Sequence, residues 1–303
     1  MKTVLLFPGQ GAQFINMGLD FLEQDPSLNI YFDKVERALK ENVKDILGSE
    51  KIHETKYSQP LIFLTSVLAF ESFKKRKITY DAVLGFSLGE YTALYASGIL
   101  SFDDTLNLIK LRGEWMQEVA DTMQGGMRAV LGLKANDIEE VIKDIPNVFV
   151  ANYNEPNQTV ITGDIHALDN ASKRLSEKGA RRVLPLKVSG AFHSPFMAPV
   201  GKKLSEYIQT LKMNQENVDL YLNTTGDKRD NEPLYKICEQ QVQSPVRFMQ
   251  AINQLKKDGY TKFIELGPGQ VLTGLVKKID NNLEVANIQR QDDNINLGGN
   301  VWT

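Results

Sequence analysis

The stretch that decides the fold is residues 81–98, which read DAVLGFSLGEYTALYASG. Asp81–Leu84 is short, apolar and typical of a buried strand, and Glu90–Ser97 is typical of a helix that ends at a glycine. Between them, Gly85–Gly89 has the pattern Gly-x-Ser-x-Gly. In a strand–turn–helix context this pattern predicts a nucleophile elbow, a sharp turn that presents the serine above the sheet edge. The alternative is an ordinary turn of small residues, because such turns are common.

A serine nucleophile needs a base, and the chain offers three histidines. His53 lies among charged residues, which indicates a solvated side chain. His166 lies at the start of a predicted helix, which favours the surface. His193 lies in the loop Ser189–Pro195, between two predicted domains. Elimination therefore makes His193 the candidate base, and the alternative is a structural histidine held by hydrogen bonds.

An arginine within a predicted amphipathic helix and a glycine-rich turn are two further candidates. Arg112 follows a core-facing leucine in a predicted amphipathic helix, and Gly113 leaves room there for a partner or a substrate. In a pocket Arg112 would bind a carboxylate through two parallel hydrogen bonds, although most such arginines extend to solvent. The turn Pro8–Gly11 follows a predicted strand, Thr3–Phe7. It could donate a backbone N–H to an oxyanion, or it could be only a tight turn.

The order of predicted elements indicates two domains. Strands and helices alternate over residues 1–124 and 190–303, which predicts a parallel sheet with helices on both faces. The helices expected in this part include Pro245–Lys257 and Val271–Ile279. Residues 125–189 have the order strand-helix-strand-strand-helix-strand, which is typical of a ferredoxin-like domain. We therefore expect an α/β catalytic core with an inserted small domain.

Composition excludes several classes of protein. The chain has 303 residues, 42% hydrophobic and 24% charged, and a net charge of −3, so it is globular and has no basic excess for nucleic acid. Its one cysteine, Cys238, precludes an intrachain disulfide and suits a reducing compartment. One cysteine and three histidines are too few for a structural zinc cluster. The longest apolar stretch, around Leu61–Phe70, is too short to span a bilayer. These features predict a soluble cytoplasmic protein with no metal, membrane or nucleic-acid partner.

Several motifs, in order and at the right spacing, give the chain a close resemblance to a known family. The motifs that carry this resemblance are Phe7–Gln13, Tyr57–Pro60, Gly85–Tyr91, Arg112-Gly113 with Met116, Gly126–Leu133, Asn152–Gly163, Val188–Pro195, Gln241–Phe248 and Glu265–Lys277. Through them the chain resembles, nearly end to end, malonyl-CoA:acyl carrier protein transacylases and the related acyltransferases of polyketide synthesis.

The resemblance implies a hydrolase-like core and a set of catalytic residues. It implies that Ser87 is the nucleophile and His193 the base. The family places a backbone carbonyl behind that histidine, in the segment that matches Gln241–Pro245 here, and Gln241 is the residue that the resemblance favours. It places the amides of the oxyanion hole at Gln10 and Leu88.

The resemblance also implies residues that select the acyl group. Arg112 would bind the free carboxylate of a malonyl group, and Gln59 and Asn152 fall in motifs that line the family's pocket. Members with phenylalanine before the histidine, as at Phe192, usually select malonyl over methylmalonyl. One position departs from the pattern: Phe86 stands where the family usually has histidine, so acyl selectivity and rate are the properties that it would alter.

The implied activity is transfer of a malonyl group from malonyl-CoA to the phosphopantetheine thiol of an acyl carrier protein. The coenzyme A thioester is then a substrate, and no cofactor is expected. We expect a monomer. Three alternatives stay open at this point: an acyl-thioester hydrolase, a trans-acting acyltransferase that serves a polyketide synthase, and a catalytically inert module that docks carrier proteins.

Overall fold

The computed structural model describes residues 2–293, 295–297 and 300–302. Contacts between Cα atoms divide the chain into two compact units, each assembled from separate segments. The first unit comprises residues 1–113, 212–222 and 254–303, and the second comprises residues 114–211 and 223–253.

The first unit is built on a five-stranded sheet in which every neighbouring pair of strands is parallel. Val4–Phe7, in the central strand, is buried, as expected for a parallel strand covered on both faces. The fold class predicted from the sequence is therefore confirmed for this core. The strands lie in the order β7-β2-β1-β8-β9, with bounds β1 Lys2–Phe7, β2 Ala82–Gly85, β7 Asp219–Tyr221, β8 Tyr260–Leu266 and β9 Glu284–Ile288.

Helices follow these strands along the chain. The longest helix, Thr55–Lys75, is buried around almost its whole circumference, as the apolar run within it predicts.

A buried carboxylate joins the fourth strand of this sheet to the last helix. Glu265 at the end of β8 is fully buried and accepts the N–H groups of Leu272 and Thr273 at 3.1 and 2.8 Å. Burial raises the pKa of Glu265 to about 7. The helices are α1 Leu19–Gln24, α2 Asn29–Leu39, α3 Val43–Leu47, α4 Thr55–Lys75, α5 Gly89–Ala96, α6 Phe102–Ala120, α11 Phe248–Lys257 and α12 Val271–Ile279; a short hairpin, β10 Ile295–Leu297 and β11 Asn300–Trp302, follows.

The second unit contains a four-stranded antiparallel sheet in the order β4-β5-β3-β6. Its elements follow each other as strand, helix, two strands, helix and strand, which is the predicted ferredoxin-like order. Asp164 caps the second of these helices, because its side chain accepts the N–H groups of His166 and Ala167 at 3.0 Å. The elements are β3 Gly125–Leu131, α7 Ala135–Ile142, β4 Val148–Glu155, β5 Gln158–Asp164, α8 Ile165–Lys178 and β6 Arg182–Pro185, followed by α9 Ala198–Ile208 and α10 Leu234–Gln241.

The antiparallel sheet lies inside residues 125–189, but the compact unit that contains it is larger. It also includes α9 and α10 and the segments around them. The boundaries at residues 125 and 189 therefore stay a prediction about the domain.

The helix expected over Pro245–Lys257 begins three residues late, at Phe248. The reason is a long-range pairing with β4. The Val246 N–H donates to the Ala151 carbonyl at 2.8 Å, and the Tyr153 N–H donates to the Val246 carbonyl at 2.9 Å. Residues before Phe248 are thus held as an extended segment, and this part of the helix prediction is wrong.

Among the described residues, no helix combines the length and the apolar character needed to cross a bilayer.

Candidate active site

The predicted elbow lies between β2, which ends at Gly85, and α5, which begins at Gly89. Ser87 is half-buried at the top of the turn and has a φ of 52°, in the left-handed region. This conformation costs an L-residue roughly 1–2 kcal/mol, and backbone strain of this kind concentrates at functional sites. The Phe86 N–H donates to the Phe7 carbonyl at 2.9 Å, so the strand pairing fixes the start of the turn.

Close backbone contacts explain both glycines of the elbow. A Cβ atom on Gly85 would lie 1.9 Å from the carbonyl carbon of Gly89, and one on Gly89 would lie 2.0 Å from the carbonyl oxygen of Phe7. Both neighbours are backbone atoms, so no change of rotamer could relieve the clash. Glycine at these positions is therefore what permits the sharp turn below Ser87.

Arg112 on α6 is 1% exposed and points at the serine. Its Nη2 donates to Ser87 Oγ at 3.2 Å, and its Nη1 donates to Gln59 Oε1 at 2.8 Å. The guanidinium carbon lies 5.3 Å from the ring centre of Tyr91, within the range of a cation–π interaction. The alternative in which Arg112 extends to solvent is therefore wrong.

The room at Gly113 is filled by a neighbouring helix. A Cβ atom there would lie 3.7 Å from Gln59 Cδ and 3.7 Å from the carbonyl oxygen of Thr55, both on α4. The partner that approaches Gly113 is therefore α4, and no substrate is needed to explain the glycine.

The turn that carries Gln10 packs against the elbow that carries Leu88. A Cβ atom on Gly9 would lie 2.5 Å from the Phe86 carbonyl oxygen and 3.3 Å from Cδ1 of the Phe86 ring. Gln10 Nε2 donates to Thr55 Oγ1 at 3.3 Å, which attaches the turn to the start of α4. Leu88 is the N-cap residue of α5, where backbone N–H groups and the helix dipole favour negative charge.

His193 lies in the second unit and is also held in a strained conformation, with a φ of 57°. It is 5% exposed, and its Nδ1 lies 3.1 Å from the carbonyl oxygen of Gln241 and 3.1 Å from that of Ser244. Carbonyl oxygens only accept hydrogen bonds, so this environment places the ring proton on Nδ1. Nε2 then carries the lone pair and can accept a proton.

Two further predicted residues of this unit, Asn152 and Phe192, are also buried. Asn152 lies beside the segment that contains Ser244, and Phe192 lies in the loop that contains His193. Asn152 is 5% exposed and forms a parallel bridge with Val246, two residues after the Ser244 carbonyl. Phe192, also 5% exposed, has its Cε1 3.0 Å from the Cβ position of Gly190. The pairing at Val246 therefore holds the chain that supplies an acceptor for His193.

The structure groups the predicted residues by unit. The two other histidines are on the surface, as expected: His53 is exposed beside Gln13, and His166 is exposed on α8. The first unit holds Gln10, Gln59, Phe86, Ser87, Leu88 and Arg112, and the second holds Asn152, Phe192, His193 and Gln241.

Sequence analysis missed three residues that contact the predicted ones. Tyr91 contacts the Arg112 guanidinium, and its place at the end of the motif Gly85–Tyr91 was the signal that could have drawn attention to it. Thr55 and Ser244 make their contacts across the fold, and no local pattern indicates them. In the part of the chain that the structure describes, no three His, Cys, Asp or Glu side chains are grouped so that they could hold a metal ion.

Comparison with known proteins gives consistent matches over nearly the whole chain. Residues 4–291 match the acyl transferase domain family. A malonyl CoA-acyl carrier protein transacylase of Bacillus subtilis is 38% identical over an alignment of 291 residues, which covers 93% of this chain and 92% of that protein.

Two solved structures extend the likeness to the fold. The crystal structure of MCAT from Streptococcus pneumoniae is 39% identical, with a TM-score of 0.90 over 95% of this chain and 96% of that one. A malonyl-transacylase in complex with a type II PKS acyl-carrier protein is 28% identical, with a TM-score of 0.91 over 96% of each chain. The resemblance inferred from the sequence motifs is thereby confirmed, and the chain belongs to the acyl transferase domain family.

Proposed function

We propose that the chain transfers a malonyl group from malonyl-CoA to the phosphopantetheine thiol of an acyl carrier protein, through a malonyl-serine intermediate. The observation that carries this proposal is the buried Arg112 guanidinium, whose Nη2 lies 3.2 Å from Ser87 Oγ. A cation beside a nucleophile suits an acyl group that ends in a carboxylate. The names of the relatives point to the same acyl group and the same acceptor.

In the first half-reaction, Ser87 Oγ attacks the thioester carbonyl while His193 Nε2 accepts the hydroxyl proton. The substrate carboxylate is bound by Arg112. Backbone N–H groups of Gln10 and Leu88 stabilise the oxyanion. The C–S bond breaks, and His193 gives its proton to the leaving sulfur of coenzyme A.

In the second half-reaction, the carrier thiol attacks the serine ester. His193 accepts the thiol proton and returns it to Ser87 as the C–O bond breaks. The Gln241 carbonyl supports both steps, because an acceptor on Nδ1 stabilises the imidazolium and fixes its orientation. We assign Gln59, Asn152 and Phe192 to binding of the acyl group, because the family's pattern places residues of that role at these three positions.

The solved complex with a type II PKS carrier protein favours one second candidate, a trans-acting acyltransferase that serves a polyketide synthase. The chemistry is identical in the two cases and only the carrier differs. Comparing transfer rates to carriers from fatty-acid and polyketide systems separates them.

The proposal is tested by incubating the protein with malonyl-CoA, with and without a holo acyl carrier protein. The mass of the carrier is measured by mass spectrometry, and free malonate is quantified. We expect malonyl-carrier to form and little free malonate to appear. Release of malonate at the same rate with and without carrier would instead identify a thioester hydrolase. No acylation at all would identify an inert docking module.

Phe86 makes the pocket less polar than a histidine would, since its ring offers no hydrogen bond. We expect Phe86→His to stay active and to discriminate more strongly against neutral acyl groups, because the effect falls on acyl fit and not on the base. The measurement is kcat/KM for malonyl-CoA and acetyl-CoA in both forms. If the native protein were inert and Phe86→His active, the transacylase proposal would be wrong for this chain.

We also propose that the reaction uses no cofactor or metal, since the chain itself offers a nucleophile, a base and a carboxylate-binding cation. We propose that the protein acts in the cytoplasm, because a single cysteine suits reducing conditions. We also propose that it acts as a monomer.

A further inference from the structure

Arg112 is hydrogen-bonded to the atom that must react. Its Nη2 donates to Ser87 Oγ at 3.2 Å. A guanidinium only donates hydrogen bonds, so this contact occupies a lone pair of Oγ. A lone pair on the same atom has to form the new bond to the thioester carbon, so the contact lowers the reactivity of the serine.

We propose that the carboxylate of the acyl group releases Ser87 from Arg112, so that the substrate activates its own nucleophile. This inference rests on the proposed function. It goes beyond carboxylate binding, because it predicts an effect on the rate of serine acylation once the substrate is fully bound.

The exchange of partners is favoured by charge. A carboxylate accepts a stronger hydrogen bond from a guanidinium than a neutral hydroxyl does. Nη1 can keep its bond to Gln59 Oε1 at 2.8 Å and the Tyr91 ring can stay beside the guanidinium while Nη2 changes partner. Arg112 is 1% exposed, so bulk water has little access for making the same exchange.

The bonds that form and break are the same for every acyl group. Oγ forms a bond to the thioester carbon, the C–S bond breaks, and the hydroxyl proton passes to the base and then to the leaving sulfur. Malonyl-CoA brings a carboxylate that takes Nη2 away from Oγ. Acetyl-CoA brings none, so Oγ stays in the hydrogen bond and acylation is slow even at saturation.

The test supplies the two functional groups of malonyl-CoA on separate molecules. Acetyl-CoA provides the thioester, and free formate provides the carboxylate. Acylation of Ser87 by saturating acetyl-CoA is followed by mass spectrometry in a single turnover, with sodium formate or with sodium chloride at equal ionic strength. We expect formate to accelerate acetylation about tenfold, the effect of one hydrogen bond from a charged donor.

Two variants define the cause. Arg112→Met keeps a long side chain but has no donor, so it should be acetylated faster than the native protein without formate and should not respond to formate. Arg37→Met replaces an exposed arginine on α2 and should behave as the native protein does. If Arg112→Met does not fold, the formate measurement on the native chain still decides the question.

The inference is overturned if formate leaves acetylation of the native protein unchanged or slows it. It is also overturned if a folded Arg112→Met is acetylated more slowly, since Arg112 would then assist the serine. Malonyl-CoA is run in parallel without formate. Failure of malonyl-CoA to label Ser87 would contradict the proposed function itself, whereas malonyl labelling without a formate effect would contradict only the release of Ser87.

Discussion

Ser87→Ala and His193→Ala are each expected to lower the rate of malonyl transfer by several powers of ten. Each power corresponds to about 1.4 kcal/mol of activation free energy. Ser87→Ala removes the atom that forms the ester, so no covalent intermediate can form. His193→Ala leaves the hydroxyl without the Nε2 acceptor that the two carbonyls on Nδ1 make available.

The measurement is incubation with malonyl-CoA without carrier, followed by peptide mapping, and then the transfer rate with carrier. The native chain should carry one malonyl group, on the peptide that contains Ser87. Matched controls are Ser176→Ala and His166→Ala, which alter exposed residues of α8 and should transfer at the native rate. A label on another residue of an active preparation would refute the assignment of Ser87.

The elbow was predictable from sequence because its sequence signal is local, even though the contact that requires Gly89 is made with Phe7 on β1. Gly85 and Gly89 are needed by backbone contacts within the turn and with the adjacent strand, and the strand before it and the helix after it have clear apolar patterns. The ferredoxin-like order was predictable for the same reason. In each case the signal lies within about ten residues of the element that it specifies.

The surroundings of His193 were only partly predictable, because they depend on contacts between distant segments. The sequence analysis predicted a helix from Pro245, a residue type that is favourable in the first turn of a helix. The pairing of Val246 with β4 prevents it and keeps the segment extended. The carbonyl of Ser244 in that segment then becomes a second acceptor for Nδ1, and the positive φ of His193 is likewise set by its tertiary surroundings.

The second large effect is expected at Arg112. Arg112→Ala should lower kcat/KM for malonyl-CoA about tenfold or more, since a hydrogen bond to a charged group contributes roughly 1.5–3 kcal/mol. Acetyl-CoA has no carboxylate to bind, so its kcat/KM should not fall, and it should rise if the hydrogen bond from Arg112 to Ser87 Oγ restrains the nucleophile. The measured quantity is the ratio of the two specificity constants in the native and variant proteins.

That ratio is the right measurement because Arg112 is buried and its loss could also destabilise the fold. Both substrates are tested on one preparation, so a reduced fraction of folded protein lowers both specificity constants equally and does not change their ratio.

Arg112→Lys separates the charge of the side chain from its shape. Lysine keeps the positive charge but lacks the planar guanidinium, in which one nitrogen donates to Gln59 and the other to Ser87. Arg112→Lys should therefore recover only part of the preference for malonyl-CoA. An unchanged ratio in both variants would mean that Arg112 does not bind the acyl carboxylate, and the structural reason for choosing malonyl would be lost.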